Sequence, residues 1–116
     1  MEKKIISVEL FFEREKVNKK RNIYQGGVEK PDYINELQVE IYEDYDFNDQ
    51  NDEFEFNGKH NIQISGTSKS LYELGRYLIN IAEYETMDKD FHTHLDGVCN
   101  SKEEKKYNII VRKIEM

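Results

Sequence analysis

Several short runs of the chain either alternate between apolar and polar positions or are rich in β-forming residues, and such runs predict strands. The first covers residues 4–13 and the second covers residues 33–42. Two more lie near the C-terminal end, at residues 91–95 and 107–114. We expect one strand in each of these four runs.

Residues 54–65 predict a hairpin, because Asn57-Gly58 separates two β-like runs and Asn-Gly is strongly favoured in tight β-turns. The polar residues 44–53 before it are expected to form a loop. Residues 14–30 predict a loop or a broken hairpin, with a turn at Gly26-Gly27.

One segment has the periodicity of an amphipathic helix, with apolar residues at i, i+3, i+7 and i+10. These residues are Leu71, Leu74, Leu78 and Ile81. Thr67 or Ser68 is placed to cap the start of the helix, which we expect to cover about residues 68–84. Because only one side of it is apolar, the helix should lie on a sheet.

The order of these elements predicts an α+β protein, in which one helix is segregated from antiparallel strands. We expect a single domain over residues 1–116. Its architecture should be one mainly antiparallel sheet of about five to six strands, with the long helix packed on one face.

The length of 116 residues suits one small domain and excludes a two-domain enzyme or a barrel of eight β/α units. Cys99 is the only cysteine, which excludes a disulfide scaffold and fits a reducing compartment. No apolar run approaches the roughly 20 residues of a membrane span, and no signal-peptide core is present. We therefore expect a cytoplasmic protein without a membrane partner.

The formal net charge is −7, and the whole excess lies in residues 31–58, which contain ten acids and no base. Aromatic residues are interleaved with these acids, which is unusual for a disordered acidic tract. Such a surface repels nucleic acid and attracts a basic protein. The alternative is a solvated acidic loop that keeps the protein in solution.

Two motifs raise the possibility of a metal site. His92, His94 and Asp96 alternate along a predicted strand and so share one face, a set that suits Zn²⁺, with His60 available to complete it. The alternative is the polar outer face of a strand whose other face is apolar. Residues 44–55 place acids and an amide at five ligand positions of a calcium loop, but Asp49 stands where that loop needs glycine.

No nucleophile or oxyanion motif accompanies either set, so no catalytic residue is predicted and an enzyme is not expected. A small hydrolase or transferase would need a convergent catalytic set that the sequence does not contain.

The chain carries, in order, Ile62-Gln63-Ile64-Ser65-Gly66-Thr67, the helix residues Leu71, Leu74, Leu78 and Ala82, then His92-Thr93-His94-Leu95-Asp96, and finally Tyr107-Asn108-Ile109-Ile110-Val111-Arg112-Lys113. This series resembles small bacterial immunity proteins of polymorphic toxin systems, in particular immunity protein family thirty-two. In that family a strand ending near glycine, a leucine-rich helix, a His-x-His-Leu-Asp strand and a final apolar strand follow one another. The resemblance covers residues 62–114.

The resemblance implies a non-enzymatic inhibitor, without a cofactor, that binds and neutralises a cognate toxin made by the same cell. A basic nuclease is one candidate target, and an acidic surface bearing tyrosines suits its cleft. The predicted partner-binding residues are Tyr42, Asp44, Tyr45, Asp46, Asp49, Asp52 and Glu53. The alternative function is a small metal-binding domain of unknown role, with Zn²⁺ at His92, His94 and Asp96 or Ca²⁺ at residues 44–55.

Overall fold

A computed structural model describes residues 1–99 and 106–114 of the chain. Within them the elements are β1 (Phe12–Asn18), β2 (Ile23–Val28), a 3₁₀ turn (Ile34–Glu36), β3 (Gln38–Asn48), β4 (Glu53–Ser65), α1 (Ser68–Glu83), β5 (His92–Cys99) and β6 (Lys106–Arg112). One helix with several antiparallel strands confirms the predicted α+β class. The sequence predicts that the polar run of residues 100–106 links the last two strands, and residues 100–105 of it lie outside the described residues.

The strands form three antiparallel hairpins, β1–β2, β3–β4 and β5–β6. β3 and β5 meet in parallel at a single register pair, Gln38 with Cys99. The prediction of one sheet of about five to six strands is therefore wrong. The physical reason is that β3 leaves the body of the molecule after Val39, so the rest of its edge has no neighbouring strand within the described residues.

β3 and β4 build one long ribbon, where the sequence predicted a loop and a short hairpin. The ribbon turns at residues 49–52, and Asn57-Gly58 lies inside β4. The register passes from Glu43 opposite His60 to Tyr45 opposite Phe56, so β4 has extra residues and forms a bulge. Gly58 supplies the bulge with its left-handed backbone, at φ 84°.

The first predicted strand, residues 4–13, is also wrong, because regular pairing begins only at Phe12. The segment before it lies along the helix, where side chains four residues apart donate hydrogen bonds to alternate carbonyls. The pairs are Tyr72 with Ser7 at 3.3 Å, Arg76 with Glu9 at 3.5 Å, Asn80 with Phe11 at 2.8 Å and Tyr84 with Glu13 at 2.9 Å. Four helical residues rise about 6.0 Å and two extended residues about 6.6 Å, so the two spacings match.

Helix α1 starts as predicted, because the Thr67 hydroxyl caps it by accepting a hydrogen bond from the Ser70 amide at 3.1 Å. The predicted apolar stripe is only partly correct, since Leu71 and Leu78 are exposed while Tyr77 is buried. The helix is turned toward both the strands and the N-terminal segment. The buried core comprises Leu37, Val39, Tyr77, Ile81, Leu95 and Val98.

The molecule is elongated, with principal extents of 65 × 37 × 32 Å. Its Cα radius of gyration is 19.0 Å, whereas a compact domain of this length has about 13 Å. The part of the chain that the structure describes contains no helix with the length and apolar character needed to cross a membrane.

Candidate functional site

The β3–β4 ribbon beyond the core is the most distinctive surface of the molecule, and residues 40–64 are called the arm below. The arm contains eight acidic residues and one lysine, Lys59. In a two-stranded ribbon, directly opposed residues point to the same face and neighbours along a strand point to opposite faces. The register therefore divides the arm into two faces of different chemistry.

One face is acidic and polar, and it is called the acidic face. It carries Glu40, Tyr42, Asp44, Asp46 and Asn48 from β3, and Glu53, Glu55, Asn61 and Gln63 from β4. Asp49 and Asp52 extend this charge around the turn. All but Glu40, Asp44, Asn48 and Asn61 are exposed, and those four are half-buried.

Asp44 is the best-anchored carboxylate of the acidic face. Its two oxygens accept hydrogen bonds from Asn57 at 2.8 Å and from Asn61 at 3.3 Å. These bonds stabilise the ionised form and lower the pKa of Asp44, with a smaller contribution from the charge of Lys59. The Asn57 amide also donates to Asp46 at 3.2 Å, so one bulge residue holds two carboxylates.

Glu55 is held in the same manner nearer the turn. Its Oε1 accepts hydrogen bonds from the amides of Asn48 at 3.1 Å and Asn51 at 2.9 Å. Neutral amides orient a carboxylate without cancelling its charge. Asp44, Asp46 and Glu55 are thus oriented on the acidic face by neutral amide groups.

The structure places six of the seven predicted partner-binding residues on the acidic face or at its turn. The exception is Tyr45, which lies on the other face and donates a hydrogen bond to Glu43 at 2.6 Å. That bond and the charge of Glu43 raise the pKa of Tyr45. Glu40 and Glu55 were not predicted as partner-binding residues. The alternation along a continuous strand would have indicated them, but residues 44–53 were interpreted as a loop.

The other face is apolar, and it is called the apolar face. Its seven large apolar side chains are between 40 and 71% exposed: Ile41, Tyr45, Phe47, Phe54, Phe56, Ile62 and Ile64. Phe47 and Phe54 pack edge to face with ring centroids 5.1 Å apart, as do Tyr45 and Phe56 at 5.9 Å. This face was not predicted from the sequence.

The predicted zinc residues lie on β5, away from the arm. His92 and His94 are exposed neighbours with ring centroids 4.9 Å apart, while Thr93 and Leu95 between and beyond them are buried. The Nδ1 atom of His94 lies 3.3 Å from the Asn108 amide. This is the alternation expected for the polar outer face of a strand.

The residues that the structure describes contain no group of three or more His, Cys, Asp or Glu side chains arranged to hold a metal ion. The predicted calcium loop is wrong as a structure, because residues 44–55 form two paired strands and a tight turn. His60 lies in the arm, 5.4 Å from the ring of Phe56, and not beside β5.

No family model matches the chain, and no curated protein or solved structure is significantly similar to it.

Proposed function

We propose that this protein is an immunity protein that binds and neutralises a cognate bacterial toxin, using the acidic face of the arm. The observation that carries the proposal is that at least three carboxylates, Asp44, Asp46 and Glu55, are oriented on one face of a projecting ribbon by neutral amides. This arrangement keeps their negative charge available for a basic partner.

The shape of the arm supports the same proposal. The two strands of a ribbon lie only about 4.8 Å apart, so the ribbon is narrow enough to enter the cleft of an enzyme. The tyrosine of the acidic face, Tyr42, donates a hydrogen bond to Gln63 at 2.9 Å and is 45% exposed. A fixed aromatic ring amid carboxylates suits an anchor residue of an interface.

The partner that this chemistry recognises is a protein with a basic active-site cleft, for which a nuclease is a good example. The acidic face mimics the charge of a nucleic acid and repels nucleic acid itself. An inhibitor of a toxin made by the same cell would act in the cytoplasm, before the toxin is exported. It needs neither a catalytic residue nor a cofactor.

The test uses the toxin domain encoded by the open reading frame beside this one. Co-expression of the full chain should restore growth to cells that produce that domain, and the two proteins should form an isolable complex. Neutralising the acidic face with Asp44→Asn, Asp46→Asn and Glu55→Gln should slow association at low salt by roughly tenfold or more, because electrostatic steering is lost. The rate should be measured by stopped flow at several salt concentrations.

A matched control removes the same three charges elsewhere, with Glu2→Gln, Glu83→Gln and Glu85→Gln, all at exposed positions outside the arm. This variant should associate at close to the wild-type rate. Equal slowing in both variants would show that only the net charge matters. The absence of a toxin-like product from the neighbouring frame would argue against the whole proposal.

A further inference from the structure

The geometry points to a second binding surface: we propose that the apolar face of the arm pairs with the apolar face of a second copy of this chain, giving a two-fold symmetric dimer. This inference concerns the face opposite to the one used in the proposed function, and it does not depend on a toxin.

The apolar face is the continuation of the core-facing side of β3. Val39 points to that side and is buried in the core, at 4% exposure. Ile41, two residues further along the strand, is 46% exposed. The alternation that places Val39 in the core therefore continues into the arm, where the apolar side chains are exposed.

A ribbon of two strands needs such cover. An isolated two-stranded hairpin is marginally stable in water, and contiguous exposed apolar patches of this kind mark interfaces. Phe54 and Ile62 are the most exposed apolar side chains of the arm, at 70 and 71%. Beyond Gln38, the described residues show no strand that pairs with β3 apart from β4.

A second copy fits because the apolar face is self-complementary. Four directly opposed pairs follow one another from the body toward the turn: Ile41 with Ile62, Glu43 with His60, Tyr45 with Phe56, and Phe47 with Phe54. The aliphatic pair is at one end and the aromatic pairs are at the other. A two-fold axis that crosses the arm between the second and third pairs places the aliphatic pair of one copy on an aromatic pair of the other.

With that axis, Ile62 of one copy packs on Phe54 of the other, and Ile41 packs on Phe47. Glu43 comes opposite Tyr45 of the other copy. Within one chain the Tyr45 hydroxyl already donates a hydrogen bond to Glu43. No two carboxylates of the apolar faces meet. The antiparallel arrangement also puts the two bodies at opposite ends of the paired arms.

The distribution of charge favours a second copy over a basic partner on this face. Glu43 is the only acid among the four pairs, and its carboxylate accepts the bond from Tyr45 at 2.6 Å. A basic protein would find little charge to bind here. Pairing two apolar faces leaves both acidic faces directed outward, where each remains accessible.

The experiment is sedimentation equilibrium of the full chain alone, from micromolar to near-millimolar concentration. The expected species has twice the 13.9 kDa mass of the chain. Phe54→Lys and Ile62→Glu should each raise the dimer dissociation constant by roughly tenfold or more, because each would bury an unpaired charge. Gln63→Lys, next to Ile62 but on the acidic face, should leave it close to the wild-type value.

Combining Phe54→Lys with Ile62→Glu tests the symmetry directly. In the proposed dimer each new lysine faces the new glutamate of the other copy, so the double variant should dimerise more tightly than either single variant. Circular dichroism of every variant verifies that the fold is retained. A monomeric wild-type chain, a dimer insensitive to the single changes, or a double variant no tighter than the singles would overturn the proposal.

Discussion

At the scale of single residues, Asn57 organises the acidic face. Its side chain binds Asp44 and Asp46, while its Oδ1 accepts a hydrogen bond from the backbone amide of Lys59 at 2.9 Å. It can do this because the bulge swings the β4 backbone at Gly58 into a left-handed conformation. An Asn-Gly dipeptide, which is typical of a turn, thus orients two carboxylates here.

The lowered pKa of Asp44 gives a prediction at this scale. Its hydrogen bonds from Asn57 and Asn61 favour the carboxylate. They therefore stabilise the fold at pH values above the pKa that Asp44 has in the unfolded chain. This stabilisation is lost as the pH falls through the lower pKa of the folded state. In Asn57→Ala the Asp44 titration midpoint, followed by NMR, should move upward toward the ordinary value.

Asn51→Ala is the control for that titration, because Asn51 binds Glu55 and not Asp44. It should leave the Asp44 midpoint unchanged. An Asp44 midpoint that is the same in Asn57→Ala and in the wild type would mean that the amide does not stabilise the carboxylate.

At the scale of elements, helix α1 joins parts of the chain that do not pair with one another. Its buried face contributes Tyr77 and Ile81 to the core shared with β3 and β5. Side chains next to this buried face donate hydrogen bonds to backbone carbonyls of the segment that leads into β1. The last of these donors, Tyr84, also packs edge to face against Phe12, with ring centroids 6.2 Å apart.

Gly26 of β2 lies in a contact between elements that is sensitive to substitution. A Cβ atom there would lie 2.5 Å from the Tyr84 hydroxyl and 2.8 Å from the Glu13 carbonyl, and the backbone has φ +131°. We expect Gly26→Ala to lower the free energy of unfolding by about 1–3 kcal/mol, through strain and displacement of Tyr84. Urea denaturation measures the change.

Gly75→Ala is the matched control, because Gly75 is in α1 and nothing lies within 4 Å of its Cβ position. This change should raise stability by up to about 1 kcal/mol, the ordinary gain of alanine over glycine inside a helix. Similar losses in both variants would contradict the assigned contact at Gly26.

At the scale of the whole molecule, the body and the arm have different roles. The buried core lies in the body, and the arm contributes length, charge and exposed apolar surface. We therefore expect the body to fold without the arm.

Shortening the arm tests this division. Replacing residues 44–59 by Asn-Gly would join Glu43 to His60, which already face each other and suit a two-residue turn. The thermal midpoint should fall by less than about 4–8 °C, the shift that about 1 kcal/mol causes in a small domain. The proposed dimer formation and the proposed toxin binding should both be lost.

Leu37→Ala provides the comparison, since Leu37 is 1% exposed and belongs to the core. It should lower the free energy of unfolding by about 2–5 kcal/mol. A shortened chain that is as unstable as this core variant would show that the arm is part of the cooperative fold.

Features that depend on neighbouring residues were predictable from the sequence. The start of α1 at Thr67, the alternation of His92 and His94 with buried neighbours, and the α+β class all follow from local spacing and capping. The concentration of negative charge in residues 31–58 is likewise a property of the sequence.

Only the tertiary structure decided which residues face each other. The sequence did not show that Asn57-Gly58 forms a bulge, because opposed pairs such as Tyr45 with Phe56 continue the ribbon beyond it and outweigh the local turn preference. It also did not show that the acids and the aromatics separate onto opposite faces. Register is set by pairing between distant residues, and slippage of β4 by one residue would place its aromatic side chains beside the acids of β3.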